Sequence, residues 1–429
     1  AIVVSKINDV LVDFLFRVIN YYDINKIKAL SWVKSPNFNQ QLKVLRKDEN
    51  KINIAFIDTD FAVGGAQKVT LDIGNMLPTH RFKTAYVATE CFGLKKDWRD
   101  KFKEVFNDLI DLRTVRNKGE KLLRVISYLR PDIIVIINSK IAYSVVPIIR
   151  KEFPEISLID IIHGAFDWQH EHVFFLEYVR YFDKRIIVSD GLRKSILNRY
   201  MNENLIASYG DKVMTIKNST DIPLANNMFS KSDYRNKLDI PFDAFVVVFV
   251  GAIAYHKDPL SVITIARTVK KEQDVHFVIF GDGPLRKRVT FEISKAGLSK
   301  TVHVIEDSNG VHDILIESDV LILPSLIDSM PLVILEAMAR GKPVIAANVG
   351  SISEIIRNEK NGCLVDRNDD MIENFVQKIL RLKNDKELYE RLKSNALSEV
   401  NRKFDLADSV DRYIHVFEDV SDARKAIPQ

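Results

Sequence analysis

Apolar residues in this chain recur in two rhythms. From Lys51 onward, short apolar runs alternate with longer stretches whose apolar positions return every three or four residues. The first rhythm marks strands buried on both faces, and the second marks helices packed on one side. Ile52 to Ile57 reads as the first strand, and a helix runs from Gly64-Gly65 to about Leu77. Strand 84–89, helices near 98–109 and 120–130, strand 133–137 and helix 141–152 follow, then strand 157–162, helix 171–182, strand 185–189 and helix 191–200. The polar stretch 222–232, with Pro223, reads as a linker. Beyond it come a helix near 232–238, strands 245–250 and 275–280, and a strand starting at Val302. Helix 313–318, strand 319–323, a helix from Pro331 to Gly341, strand 343–347 and helices near 370–382 and 386–403 complete the series. The last helix begins near Leu406, with Val410, Tyr413, Ile414 and Phe417 on one face. This alternation predicts an α/β chain with largely parallel sheets.

Residues 1–50 stand apart. Val10-Leu11, Phe14-Leu15, Val18-Ile19 and Tyr22 form a helical stripe, followed by Lys26, Lys28, Lys34, Lys43, Arg46 and Lys47. Such a helical extension can lie on anionic lipid, giving peripheral membrane contact, or pack on the body of the protein or end a preceding domain; packing is favoured. The net charge of +4 over 429 residues is too small for bulk binding to nucleic acid, and no such partner is expected. Two cysteines far apart, Cys91 and Cys363, argue for a reducing, cytoplasmic compartment rather than a disulfide framework. No apolar run approaches the ~18 residues of a membrane-spanning helix. No signal peptide is visible and the first residue is Ala, which leaves room for a fusion or partner domain ahead of it.

The chemistry concentrates in one strand–loop–helix unit. Strand 319–323 leads through Pro324-Ser325-Leu326-Ile327-Asp328-Ser329-Met330 into the helix at Pro331, a residue suited to a first helical position. Gly341 can end that helix with positive φ. The loop lies at the carboxyl edge of the sheet, where open α/β sheets bind ligands. Asp328 sits in the loop, and Glu336 about one and a half turns into the helix. A diphosphate can lie across the helix N-terminus. Glu336 can then take a ribose diol while Asp328 faces whatever the far phosphate carries, as a nucleotide-sugar would require. The plainer alternative is an exposed loop Asp and a solvated helix Glu.

This unit resembles the acidic signature of retaining glycosyltransferases of the GT-B type, glycosyltransferase family 4. The family pattern is Glu, seven residues, Glu, within Pro-Ser-x-x-Glu-Gly-x-Pro…Glu-Ala-Met-Ala-x-Gly-x-Pro-Val. This chain carries Pro324, Ser325, Pro331, Glu336, Ala337, Met338, Ala339, Gly341, Pro343 and Val344 in place. It departs at Asp328, where the family has Glu, and at Ser329, usually Gly. The resemblance covers about 51–420 and is strongest over 244–365. It implies two Rossmann-like domains facing a cleft: an extension 1–50, an acceptor domain 51–222, a nucleotide-sugar domain 223–405, and a helix 406–429 returning to the first.

Other motifs carry the resemblance further. Gly64-Gly65-Ala66-Gln67-Lys68 follows the first strand as the family's Gly-Gly-Ala-Glu-Arg does, beside donor phosphates and acceptor. His163 ends strand 157–162 where the family places a His near the donor sugar. Lys257 matches one of two cations that clamp the diphosphate, but Ala252 replaces the Arg. Gly281-Asp282-Gly283-Pro284 matches Gly-x-Gly-Pro near the nucleotide, and Val302 to Asp307, with Glu306, is the strand whose end passes the base in the family. Gly350 to Glu354 and Asn361 to Val365 match Gly-Gly-x-x-Glu and Asn-Gly-x-Leu-Val. Asp328, His163 and Lys257 are thus the expected catalytic residues. Glu336, Gly65, Gly281, Gly283, Ser329, Met330, Pro331 and Glu306 are the expected donor contacts.

The implied activity moves a sugar from a nucleotide-diphospho-sugar to a glycan or lipid-linked acceptor with retention, without metal or cofactor, in bacterial surface polysaccharide synthesis. Acceptor contacts are expected in loops 91–98 and 164–172. Asp58-Thr59-Asp60 resembles a metal-binding Asp-x-Asp, but its place after the first strand favours a cap or turn role. His170-Glu171-His172 lacks a third ligand at metal spacing and reads as surface or acceptor loop. A catalytically weak GT-B subunit supporting a partner and a nucleotide-sugar epimerase remain as alternatives. Asp328 and Ala252 are the features that favour the weak subunit.

Overall fold

The structure, a computed structural model, describes residue 42 and residues 45–90, 97–164, 176, 178–222, 233–269, 274–306 and 310–425. The expected helices at 1–41 and 171–175, loop 91–96, Cys91, His170-Glu171-His172 and the linker 223–232 lie outside these residues.

Two parallel sheets form, each from the alternation expected. The first contains β1 (Ile52–Asp58), β2 (Phe82–Ala88), β3 (Asp108–Asp111), β4 (Ile133–Ile137), β5 (Ser157–Ile162), β6 (Lys184–Ile187) and β7 (Val213–Thr215). Their order is β3-β2-β1-β4-β5-β6-β7. Helices α1 (Gly65–Met76), α2 (Arg99–Val105), α3 (Lys118–Leu129), α4 (Lys140–Glu152) and α5 (Asp190–Asn202) connect them. The second sheet contains β8 (Phe245–Val250), β9 (Val275–Phe280), β10 (Val302–Ile305), β11 (Val320–Leu323), β12 (Val344–Ala347) and β13 (Cys363–Val365), in the order β10-β9-β8-β11-β12-β13. Its helices are α6 (Pro259–Val269), α7 (Arg286–Lys295), α8 (Val311–Glu317), α9 (Leu332–Ala339), α10 (Met371–Asn384) and α11 (Lys386–Lys403), and α12 (Leu406–Lys425) is the last described element. The strand order reverses between β1 and β4 and again between β8 and β11. Crevices for ligands open at the carboxyl ends of such strand pairs.

Three short edge strands differ from expectation. The helix expected over 98–109 stops at Val105, because Asp108 to Asp111 pairs with β2 as β3. Acidic residues at both ends of that strand hide its two apolar residues. β7 and β13 each have three residues, below the length at which apolar periodicity is visible.

One polar cluster lies within the first core. Asp160 on β5 and Arg185 on β6 are paired in register, and both side chains are fully buried. Arg185 Nε donates to Asp160 at 3.0 Å and Nη2 at 2.6 Å, while Nη1 donates to Tyr200 Oη at 2.6 Å. Tyr143 Oη donates to Asp160 Oδ2 at 2.9 Å. Burial alone would lower the guanidinium's basicity, but Asp160 outweighs it and holds the charge. Four side chains thus satisfy one another where water is excluded.

The last helix belongs in space to the first domain. α12 packs on α1, β4 and β5, with Phe417 edge-on to Phe56 at 6.2 Å. Ser157 Oγ donates to Val420 O at 2.9 Å, and Arg424 Nη2 to Asp183 Oδ1 at 2.6 Å. The chain therefore crosses between domains twice. The crossings run side by side, with Thr220 N donating to Phe404 O at 3.0 Å and Thr220 bridged to Asp405. Of the N-terminal extension, Leu42 and Leu45 are buried in the first domain's core, and Lys47 pairs with Asp132 at 2.7 Å. These residues pack on the body of the protein.

Candidate active site

The loops after β8 and β11 flank the second sheet's switch point and carry Lys257 and Asp328. Lys257 Nζ lies 2.5 Å from Asp328 Oδ2, and Ser325 Oγ donates to the same oxygen at 3.2 Å. Asp328 is 7 % exposed. The expected cation and acid thus meet across the crevice. Their loops are fastened together. Leu326 N and Ile327 N donate to His256 O at 2.9 and 3.3 Å. Arg367, at the end of β13, donates to Pro324 O at 2.5 Å and to Asp258 Oδ2 at 3.0 Å. From beneath, Gly350 (φ 54°) lies so close that a Cβ there would stand 1.7 Å from Asp328 O. A charge held this firmly needs little reorganisation when a ligand arrives.

Helix α9 starts at Leu332. Pro331 is its N-cap with ψ 122°, one position earlier than expected, because Asn218 Nδ2 holds Met330 O at 2.8 Å and keeps the chain extended up to Pro331. Ser329 O is taken by Ser351 N at 3.2 Å, and Met330 is buried. The carbonyls of the expected donor contacts Ser329, Met330 and Pro331 are thus engaged within the protein, Pro331 O accepting from Ile334 N at 3.2 Å. What this segment offers a ligand is the helix N-terminus, whose first amides have no partner within the helix. Gly341 ends α9 at φ 66°, as its position suggested.

Across the cleft, α1 presents the matching end. Gly65 is exposed, and a Cβ there would lie 3.9 Å from Leu332 Cδ1, so the first residues of α1 and α9 lie beside each other. One turn further along each helix are Lys68 and Glu336. Glu336 is partly buried, and that burial raises its carboxyl above the usual range, with Lys68 and Arg340 pulling it back and Asp221 and Asp72 adding to the rise. Burial works against the Lys68 ammonium, but Asp72, 2.9 Å away, and Glu336 hold it above its ordinary value. Arg340 donates to Glu336 O at 2.9 Å and to His312 Nδ1 at 2.8 Å.

His163 follows β5 at its carboxyl end. Its Nε2 is buried with no hydrogen-bond partner among the described residues, and burial pushes the imidazole down to about 4, so it is neutral at neutral pH. Gly281 and Gly283 are required by a close approach of main chains. A Cβ at Gly281 would stand 2.0 Å from Gly251 O, and one at Gly283 2.6 Å from Ile253 O. They hold the Lys257 loop against the β9 turn, and Ile253 N donates to Asp282 O at 2.8 Å. Glu306 is paired with Arg286, whose guanidinium also lies 3.6 Å from Asp282. Ala252 is exposed and supplies no charge.

Asp58, Thr59 and Asp60 form a turn. Asp58 Oδ1 accepts from Thr59 N at 2.6 Å and Asp60 Oδ1 from Ala62 N at 3.0 Å. Burial pushes the Asp58 carboxyl up to about 7. Among the described residues no three His, Cys, Asp or Glu side chains converge as metal ligands. No described helix is long and apolar enough to cross a membrane. Cys363 is buried, and its thiol is pushed up to about 11, out of reactive range. Several residues that hold the site were not singled out from the sequence. Asn218, which holds Met330 O, and Arg367, which holds Pro324 O, are two of them.

Comparison with known proteins agrees with this geometry. Residues 230–399 match the family model described as glycosyl transferases group 1. The UDP-Gal:alpha-D-GlcNAc-diphosphoundecaprenol alpha-1,3-galactosyltransferase of Escherichia coli is 30 % identical over 214 residues, 49 % of this chain and 54 % of its own. The lipopolysaccharide core biosynthesis glycosyltransferase LpsD of Rhizobium meliloti is 28 % identical over 184 residues, 43 % of this chain and 52 % of its own. The chain thus spans about half the length of these curated relatives. Among solved structures, Anabaena Alr3699/HepE in complex with UDP-glucose superposes with a TM-score of 0.72 at 18 % identity, covering 86 % of this chain and 99 % of that one. Residues 230–399 are thus similar to the glycosyl transferases group 1 family, in a chain that has the two-domain GT-B fold.

Proposed function

We propose that this protein is a retaining glycosyltransferase that moves a sugar from a nucleoside diphospho-sugar, with UDP as the favoured nucleotide, to a glycan or lipid-linked acceptor in surface polysaccharide synthesis. The observation that carries the reading is the meeting of Lys257 and Asp328 beside the adjoining N-termini of α9 and α1. The activities and ligands of the similar proteins named above support the donor and acceptor classes.

In this reading the diphosphate lies between the two helix ends. Their amides and Lys257 stabilise the charge that grows on the departing oxygen. Glu336 accepts from the ribose hydroxyls. Asp328 orients the sugar's hydroxyls, and the neutral His163 reaches the sugar from the first domain. The bond from the anomeric carbon to the β-phosphate oxygen breaks. The acceptor oxygen bonds the same carbon from the same face and passes its proton to the departing phosphate. Lys257 and the helix ends serve where other glycosyltransferases use a metal, and no cofactor is required.

The test is a thermal-shift screen of purified protein against nucleoside diphospho-sugars, followed by acceptor-dependent release of nucleoside diphosphate in chelator. A ligand at 100 times its Kd stabilises by about 2.7 kcal/mol, which is readily seen. The anomeric configuration of the product, read by NMR, tests retention. Absence of both binding and release across UDP-, GDP-, ADP- and dTDP-sugars would refute the assignment.

A further inference from the structure

Asp328 is held from below by residues 350–354, and the far end of this segment reaches the other domain. Gly350 lies against Asp328 O, and Ser351 N donates to Ser329 O at 3.2 Å. Ser351 Oγ is 2.8 Å from Ser189 Oγ, the N-cap of α5, which also accepts from Leu192 N at 3.2 Å. Glu354 completes the contact. Its Oε2 accepts from Asp190 N at 3.1 Å and its Oε1 from Gly191 N at 2.6 Å, so a carboxylate of one domain caps a helix of the other. Lys217 closes the group, 2.7 Å from Asp190 and 3.0 Å from Glu354. Gly191 makes room for it: a Cβ there would stand 2.9 Å from Ser351 Oγ and 3.1 Å from Glu354 Oε1.

We propose that Glu354 is a positioning residue that sets the register of the Asp328 loop against the first domain. The inference rests on the proposed function for its effect on turnover, but the mechanical link stands on the contacts alone. The helix end attracts the carboxylate, and Lys217 and the two amides fix its direction. The intervening residues are a short 3-10 turn, Ile352–Glu354, with Ile352 buried, so displacement at Glu354 passes to Ser351 and Gly350 rather than being absorbed. In the proposed arrangement most of the nucleotide's contacts, Lys257, Glu336 and α9, lie in the second domain, and the end of α1 adds one from the first. The acceptor and His163 belong to the first. Loss of the Glu354 contact therefore misaligns the two halves of the reaction while leaving the second domain's contacts to the nucleotide in place.

The test separates turnover from donor binding in Glu354→Ala, Glu354→Gln and Gly191→Ala. Glu354→Ala removes the acceptor, Glu354→Gln keeps one acceptor oxygen, and Gly191→Ala crowds the same contact from the other domain. The expected result is a fall of about tenfold in kcat for Glu354→Ala and a smaller fall for Glu354→Gln, with Kd for UDP unchanged within about twofold. Gly191→Ala should fall in the same sense, and combined with Glu354→Ala it should cost less than the product of the two single effects. Hydrogen exchange gives a readout independent of activity. Glu354→Ala should speed exchange at 190–192 and also at 326–331. Faster exchange at 190–192 alone, kcat within twofold of wild type, or a Kd that rises in step with the loss of kcat would overturn the inference. If wild type transfers no sugar while exchange spreads to 326–331, the proposed function fails and the mechanical link stands. Should Glu354→Ala not fold, Gly191→Ala decides by the same measures.

Discussion

Gly350→Ala is the substitution that most directly tests whether the placement of Asp328 matters. Gly350 touches no donor group in the proposed arrangement. Its φ of 54° is left-handed, which costs a residue with a Cβ roughly 1–2 kcal/mol. The larger effect is steric. The new Cβ would stand 1.7 Å from Asp328 O, and the obstacle is main chain, which cannot swing away as a side chain does. The loop must open by more than about 1 Å, and a displacement of that size costs on the order of 10²-fold in rate. The strain alone is isolated by Gly297→Ala, at an exposed position with φ 63° outside the described site. Both variants should lose a few degrees in Tm, since about 1 kcal/mol shifts a domain of ~200 residues by roughly 2–4 °C. Only Gly350→Ala should lose about a hundredfold in kcat, measured as acceptor-dependent UDP release at saturating donor. Equal turnover in the two variants would refute the claim that this loop must be held in place.

Other substitutions probe separate parts of the argument. Glu336→Ala should raise the donor KM by about 10- to 100-fold, the range for a hydrogen bond to a charged group, and leave saturated turnover nearly intact; an unchanged KM would remove its assigned role. Asp160→Ala leaves Arg185 charged and unpaired in the core and should cost about 3–5 kcal/mol by denaturant unfolding, whereas a loss below ~1 kcal/mol would show that water reaches the cluster. Asp58 gives a pH signature. Its folded pKa of about 7 lies above the unfolded value of 3.8, so between these the native state keeps a proton that the unfolded state has lost. Its stabilising contribution is full below pH 4 and declines as pH rises to about 7, by a few kcal/mol at most. Asp58→Asn should flatten that decline, and parallel stability–pH curves for the two proteins would contradict the shift.

Much of the fold is legible in the sequence because it depends on long apolar periodicities. β8 and β9 are uninterrupted apolar runs apart from His276, and α9 has caps at both ends, so type and place follow directly. The edge strands escape because three or four residues carry too little pattern, and β3 is masked by its aspartates. At the site, Asp328, Lys257, Glu336 and Gly65 are legible because chemistry and spacing coincide with strand ends. Their support is less so. Arg367 acts from far along the chain on Pro324 O, and only the folded chain brings the two together. Gly281 and Gly283 make the same point: their close approach to the main chain of Gly251 and Ile253 is visible only in the folded chain.

The paired crossings at Thr220 and Phe404 bear on how substrates get in. Two adjoining strands of chain fold like the spine of a book: they allow rotation about their common line and resist sliding or twisting. A rotation about that line would carry the margin farthest from it the greatest distance. Cutting the chain before Leu406 would leave a single tether and strip the cover from β4 and β5, so the swing would lose its axis along with its bearing surface.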